Sequence, residues 1–165
     1  MEIHARKQIQ MHAVASHLTK CFKSKAPSEF GENFAYNQVY YSKFNDEPVT
    51  VEELVSGSFY KYVNNDGTCI VLKDEDKDIF LKAQCLMHAS YLFSNKELML
   101  LDIEGSGYTL YDPEVATTTI QDDDDKEIYF CCGNVSTEGI ERFLGQHKCN
   151  KYYTMLDLDL ADKAC

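Results

Sequence analysis

The sequence has no tryptophan, only three prolines and only eight glycines in 165 residues, which excludes collagen-like, proline-rich and glycine-rich low-complexity classes. Cationic residues are scarce: 16 Lys and Arg stand against 27 Asp and Glu, a formal net charge of −11. A chain of that sign repels a phosphate backbone, so nucleic acid is not an expected partner, whereas basic protein segments are. Long apolar runs are missing as well. The longest, Leu98-Met99-Leu100-Leu101, falls far short of the roughly 20 residues that cross a bilayer. Met1-Glu2-Ile3-His4-Ala5-Arg6-Lys7 also lacks the apolar core of a signal peptide. Membrane insertion is therefore not expected. The seven cysteines include no C-x-x-C; an odd number without redox spacing implies reduced thiols, no disulfides and a cytoplasmic location. What is present is an ordinary globular balance, 44% hydrophobic and 26% charged, long enough for one domain over residues 1–165 with a buried core.

The pattern along the chain predicts an α+β fold. Residues 3–23 repeat Ile9, Ala13, Val14, Leu18, Cys21 and Phe22 at helical spacing, and the helix stops before Ser24-Lys25-Ala26-Pro27. A β-rich stretch follows, from Phe34 to Phe44, over Val49–Leu54 and over Ser58–Val63, bounded by Asn-Asp and by Asn64-Asn65-Asp66-Gly67. Helical spacing returns over 78–93 through Ile79, Ala83, Leu86, Met87 and Tyr91. Glu97–Asp102 then reads as a buried central strand ending in a carboxylate. The acidic run Gln121–Glu127 reads as a solvated loop. A last helix starts near Ser136-Thr137 and buries Ile140, Phe143, Leu144 and His147.

Four constellations could carry chemistry. Asp102-Ile103-Glu104-Gly105, followed by Asp112-Pro113, places carboxylates beside glycine where a hard cation such as Mg²⁺ finds oxygen ligands; a surface turn rich in acids accounts for the same residues. His88 with His147-Lys148-Cys149 offers imidazole and thiolate donors suited to zinc, or a pair of core histidines beside an inert thiol. Lys61-Tyr62-Val63-Asn64-Asn65-Asp66-Gly67 could set a cation and backbone N–H groups against phosphate, and is equally an ordinary hairpin turn. Gly133–Gly139 leads into a helix N-terminus, a potential anion site or plain capping, and the adjacent Cys131-Cys132 pair reads as core.

The order of these blocks is more specific than any one of them. Gly57–Gly67, Asp102-Ile103-Glu104-Gly105, Tyr111-Asp112-Pro113-Glu114-Val115, and Gly139-Ile140-Glu141-Arg142-Phe143 with His147-Lys148-Cys149-Asn150 together resemble the α-type (atypical) protein kinases. That family includes the myosin heavy-chain kinases, the elongation-factor kinase and the channel-fused kinases. The resemblance covers about residues 8–153 and implies a protein-kinase-like fold that is incomplete at the N-terminal lobe. It implies an ATP- and Mg²⁺-dependent Ser/Thr kinase that transfers a phosphoryl group to a protein hydroxyl. The alternative is a non-catalytic, kinase-like interaction module with a structural zinc.

On this resemblance Asp102 is the catalytic aspartate, while Glu104 and Asp112 hold Mg²⁺. Glu52 meets the adenine edge, Leu54 bonds adenine through its backbone, and Lys61 and Asn65 match the phosphate-loop pair. His88, His147 and Cys149 match three of four ligands to a structural Zn²⁺. Phosphoryl transfer asks a protein mainly for positioning and charge neutralisation, which carboxylates, a metal and a lysine supply. The chain departs from the family pattern at five places. Tyr153 stands where the fourth zinc ligand is expected, leaving water, Cys85 or Cys131 to complete the site, or the metal lost. Tyr111 replaces a usual Thr, Glu104 a usual Gln, and Cys131 and Ser136 two usual glycines. The chain also starts at what resembles the helix after the small-lobe strand lysine, and Lys7 cannot stand in for it.

Overall fold

The computed structural model describes residues 2–70, 77–118 and 136–158. Helix α1 (Glu2–Lys25) runs two residues beyond the expected stop, because nothing clashes until Pro27. Its buried face is Ala5, Met11, His12, Ala15, Leu18, Thr19 and Phe22. The expected stripe through Ile9 and Ala13 is therefore rotated: Ala13 is exposed, while Leu18 and Phe22 are shared. Both stripes have helical spacing, and the neighbours that α1 packs against select between them.

Strand β1 (Ala35–Tyr36) is followed by a hairpin of β2 (Val39–Phe44) and β3 (Glu47–Glu52), closed by Asn45 and Asp46, both at positive φ. Asn and Asp tolerate that left-handed pair better than other non-glycine residues, as a two-residue hairpin turn requires. Strand β4 (Tyr60–Lys61) comes next, then helix α2 (Lys77–Phe93) and strands β5 (Leu98–Leu101), β6 (Glu104–Ser106), β7 (Thr109–Tyr111) and β8 (Glu114–Thr117). One sheet has the order β1-β7-β6-β4, parallel between β1 and β7 and antiparallel elsewhere. Among the described residues β5 pairs with β8, antiparallel, and Met99, Leu100 and Leu101 are buried, as expected of a packed strand. Helices α3 (Ser136–Gln146) and α4 (Lys151–Met155) follow, the latter capped by Asn150, whose side chain accepts from Tyr152 N. The expected acidic loop 121–127, Cys131-Cys132 and Gly133–Val135 lie outside the described residues.

The core joins Met11, Ala15, Leu18 and Phe22 of α1 to Ala83, Leu86 and Met87 of α2, to β5 and to Phe143. Ser90 ties α2 to β5, donating to Met87 O at 2.6 Å and accepting from Leu100 N at 2.9 Å. Lys82 is a buried cation in this core. Its ammonium donates to Glu32 O at 2.9 Å and lies about 5 Å from the ring centres of Phe30, Tyr108 and Tyr152, which replaces lost water by a carbonyl and π faces.

Candidate active site

Asp102 follows directly on β5, and its backbone is left-handed, with φ of 49°. That single reversal lets Ile103 plug the core, fully buried, while the Asp102 side chain, partly buried, reaches the Lys61 ammonium. The Ile103 carbonyl is held by Tyr62 N at 2.8 Å and Val63 N at 3.2 Å, so the turn is locked to the segment that follows Lys61. A non-glycine residue in this region costs on the order of 1–3 kcal/mol, and such strain gathers at functional sites. Asp112 repeats the device, with φ of 47°, immediately before the buried Pro113.

Sheet register then assembles the charged groups. Lys61 on β4 is the cross-strand partner of Glu104 on β6, which in turn faces Tyr111 on β7. The Lys61 ammonium lies 2.5 Å from Asp102 Oδ1 and 3.3 Å from Glu104 Oε2. Burial works against that cation, but the bonds to Asp102 and Glu104 prevail and raise its pKa. Glu104 is pushed above its ordinary range by burial first, then by Asp102 and Asp112, with Lys61 opposing. The buried Tyr36 phenol is raised by burial and by Asp102, Glu104 and Asp112 in turn. The three carboxylates therefore act on common neighbours.

Glu104 and Asp112 line a cleft of about 620 Å³ between α1, the β2–β3 hairpin and the β6–β7 edge, with His12, Val39, Thr50, Glu52 and Tyr111; Asp102 is not in its lining and meets it through Glu104 and Lys61. Glu52 accepts a 3.0 Å hydrogen bond from Asn37 Nδ2. Leu54, 93% exposed, borders an adjoining hollow of about 270 Å³ with Asn37, Glu52 and Tyr111. Asn65 is not among the residues that line the cleft. It lies in the turn after β4, where Gly67 N donates to Asn64 O at 3.1 Å and Asp66 pairs with Arg142 at 2.6 Å. Gly67, at φ 82°, leaves no room for a Cβ against the Gly139 carbonyl of α3. The hairpin-turn reading of this segment accounts for its geometry, and the turn packs on α3.

Two residues of this region carried no sequence signal: His12, which lies within an amphipathic helix, and Asn37. Burial lowers the His12 pKa, while Glu52, Asn37 and Asp112 pull it up.

His88, His147 and Cys149 form a separate cluster whose donor atoms all lie within 4.8 Å of one another. His147 Nδ1 faces Phe143 O at 3.1 Å and its Nε2 lies 4.0 Å from Cys149 Sγ. A carbonyl on one ring nitrogen orients the other as a ligand, so two imidazoles and one sulfur fit a shared tetrahedral ion. The expectation of reduced thiols is corrected here, because Cys149 is in a disulfide. Its sulfur is a ligand only after reduction; the spacing of cysteines along a chain does not reveal which ones folding brings together. Tyr153 donates instead to Gln84 O at 3.0 Å. Cys85 is buried and outside the cluster, and Cys131 lies outside the described residues.

The model of the Alpha-kinase family matches residues 2–153. The chain is 28% identical over 154 residues to the human transient receptor potential cation channel subfamily M member 7, covering 92% of this chain and 8% of that protein. It is 35% identical over 107 residues to myosin heavy chain kinase B of Dictyostelium discoideum, covering 65% of this chain and 13% of that protein. Among solved structures, the apoenzyme α-kinase domain of myosin-II heavy chain kinase A superposes with a TM-score of 0.72 at 25% identity, over 95% of this chain and 58% of that one. The ADP complex of the myosin heavy chain kinase A domain gives 0.69 at 25% identity, over 92% and 57%. The chain thus spans little more than half of the solved kinase domains and a small fraction of the curated relatives. The fold, the ordered sequence blocks and the family match over 152 residues converge on one assignment: the chain belongs to the Alpha-kinase family.

Proposed function

We propose that the cleft is the ATP site of a protein serine/threonine kinase, with adenine at Glu52 and Leu54 and the phosphates toward Asp102, Glu104 and Asp112. The observation that carries this reading is the meeting of Lys61 with Asp102 and Glu104, the last of which lines a cleft together with Glu52 and Asp112. Asp102 would accept or orient the proton of the substrate hydroxyl. Lys61 would leave its carboxylate partners for phosphate oxygens as the nucleotide enters. Glu104 and Asp112 would hold Mg²⁺, which when bound neutralises phosphate charge. Asn65 would close on the phosphates from the turn after β4. The solved ADP and AMP-PNP complexes of myosin heavy chain kinase A domains support nucleotide as the ligand class.

The test is transfer of labelled phosphate from ATP to a basic, Thr-containing protein, with Asp102→Ala as control. Transfer that depends on Asp102 is expected; equal signal from both proteins would sink the reading. A second reading, a non-catalytic kinase-like module, draws on the cleft lining: among the described residues that line it, none is Lys or Arg. Stabilisation by MgADP separates the two, since a ligand at 100 times its Kd adds about 2.7 kcal/mol. In the reduced chain, His88, His147 and Cys149 would hold a structural zinc that joins α2 to the segment after α3. The reading places the chain in the cytoplasm, acting on protein substrates.

A further inference from the structure

His12 lies on α1, 7% exposed, and its ring meets the Tyr36 ring edge-on at 5.6 Å between centroids. Its Nε2 is buried and lacks a hydrogen bond of good geometry, and so is, and does, the side-chain oxygen Oδ1 of Asn37. Two buried polar atoms left this way carry an uncompensated desolvation cost. They are complementary, one a ring nitrogen that can carry a proton and the other an amide acceptor. Asn37 is also the side chain whose hydrogen bonding acts on His12.

Asn37 has no freedom to answer otherwise. Its backbone N–H is fixed to Leu110 O at 2.9 Å, and its Nδ2 donates to Glu52 Oε2 at 3.0 Å. With the amide nitrogen committed to Glu52, the oxygen faces away from that carboxylate. The groups about His12 are Tyr36 and Asn37 on and after β1, Glu52 at the end of β3 and Asp112 after β7. Of these, Asn37 combines an unpaired buried acceptor with an observed hydrogen bond to an exposed cleft carboxylate, Glu52.

We propose that His12 is a positioning residue that, by donating Nε2–H to Asn37 Oδ1, locks the Asn37 amide and so aims the Glu52 carboxylate for recognition of the adenine base. The proposal rests on the nucleotide reading above. Glu52 is otherwise a solvent-exposed side chain with several rotamers open to it. A carboxylate aimed by a buried relay accepts from the exocyclic amine of adenine and faces the oxygen of guanine with repulsion, so orientation becomes base discrimination.

The experiment measures binding of MgADP and MgGDP to the full chain for wild type, H12A, H12Q, N37A and H12A/N37A, with circular dichroism to check folding. Wild type is expected to prefer MgADP. H12A and N37A should each lower the ADP-to-GDP preference about tenfold, the scale of one polar contact. The double variant should be no worse than N37A alone, because the two act in series. H12Q, which keeps an N–H donor, should recover most of the preference. If H12A weakens both nucleotides alike, or the single losses add, His12 is merely packing and the proposal is overturned. If wild type prefers MgADP and H12A leaves the ratio unchanged, the relay fails alone. If wild type binds neither nucleotide, the ATP-site reading fails and the relay's role falls with it.

Discussion

The Lys61 ammonium sits 2.5 Å from Asp102 and 3.3 Å from Glu104, bridging one carboxylate in the turn after β5 and one on β6. Without ligand this cation is what allows the acids to stay together, because like charges at such separations repel strongly where water is partly excluded. The same lysine is the group that a phosphate would draw away.

Lys61→Met should therefore destabilise the ligand-free chain most at neutral pH. The Lys61 pKa is raised, so its contribution is complete below the ordinary lysine value and is lost only as pH climbs through the higher folded value. At pH 7 the lysine is fully charged, and removing it leaves Asp102, Glu104 and Asp112 uncompensated. The Tm difference from wild type should shrink as pH falls and the carboxylates protonate. Thermal melts across pH 4–8 check this, and a difference that does not vary with pH would contradict it.

Glu104→Gln should raise stability at pH 7. The folded pKa of Glu104 lies above its ordinary 4.5, so the stability linked to its proton is present below 4.5 and lost as pH rises through the folded value. A Gln mimics the protonated form at all pH values. The expected gain is a Tm increase of about 2–4 °C, what 1 kcal/mol produces in a domain of this size. The gain should vanish in acid.

Ser90→Ala tests the junction of α2 with β5. It removes the acceptor for Leu100 N, a buried backbone donor at 2.9 Å. Leaving that group unsatisfied should cost about 1–3 kcal/mol, read as a lower urea midpoint at unchanged slope. Ser90→Thr, which keeps the hydroxyl, should cost less if its extra methyl is accommodated.

Zinc binding should depend on redox state. Reduced protein titrated with Zn²⁺ should take up one equivalent and gain stability, while His147→Ala should lose both. Oxidised protein, with Cys149 held in a disulfide, should bind weakly. Equal uptake by oxidised protein and by His147→Ala would place any zinc elsewhere. Elemental analysis with melts under both conditions decides.

Much of the secondary structure was legible because period and punctuation are local. Helices α1, α2 and α3 were visible from their spacing, and the Asn45-Asp46 turn from its residue types. Less legible was the buried side of α1, where two stripes of equal spacing compete and only packing partners choose. β5 was legible as a buried strand from its apolar run, but its pairing with β8 was not, because register is set by the partner strand. Helix α4 is a single turn started by the Asn150 cap, too short to show a period.

By itself the sequence determined the order of the chemical groups along the chain: an acid after the apolar strand, a second acid ten residues later, a lysine before an Asn-rich turn, and histidines on two helical segments. Tertiary structure alone decided which of them meet. Lys61 reaches Asp102 through the left-handed turn beyond β5, Asn37 reaches Glu52 across the hairpin base, and Asn65 turns toward α3. Covalent order constrains what is near along the chain, whereas a site consists of side chains brought close by sheet register and by a few strained backbone angles. Neither of those is written in any local pattern.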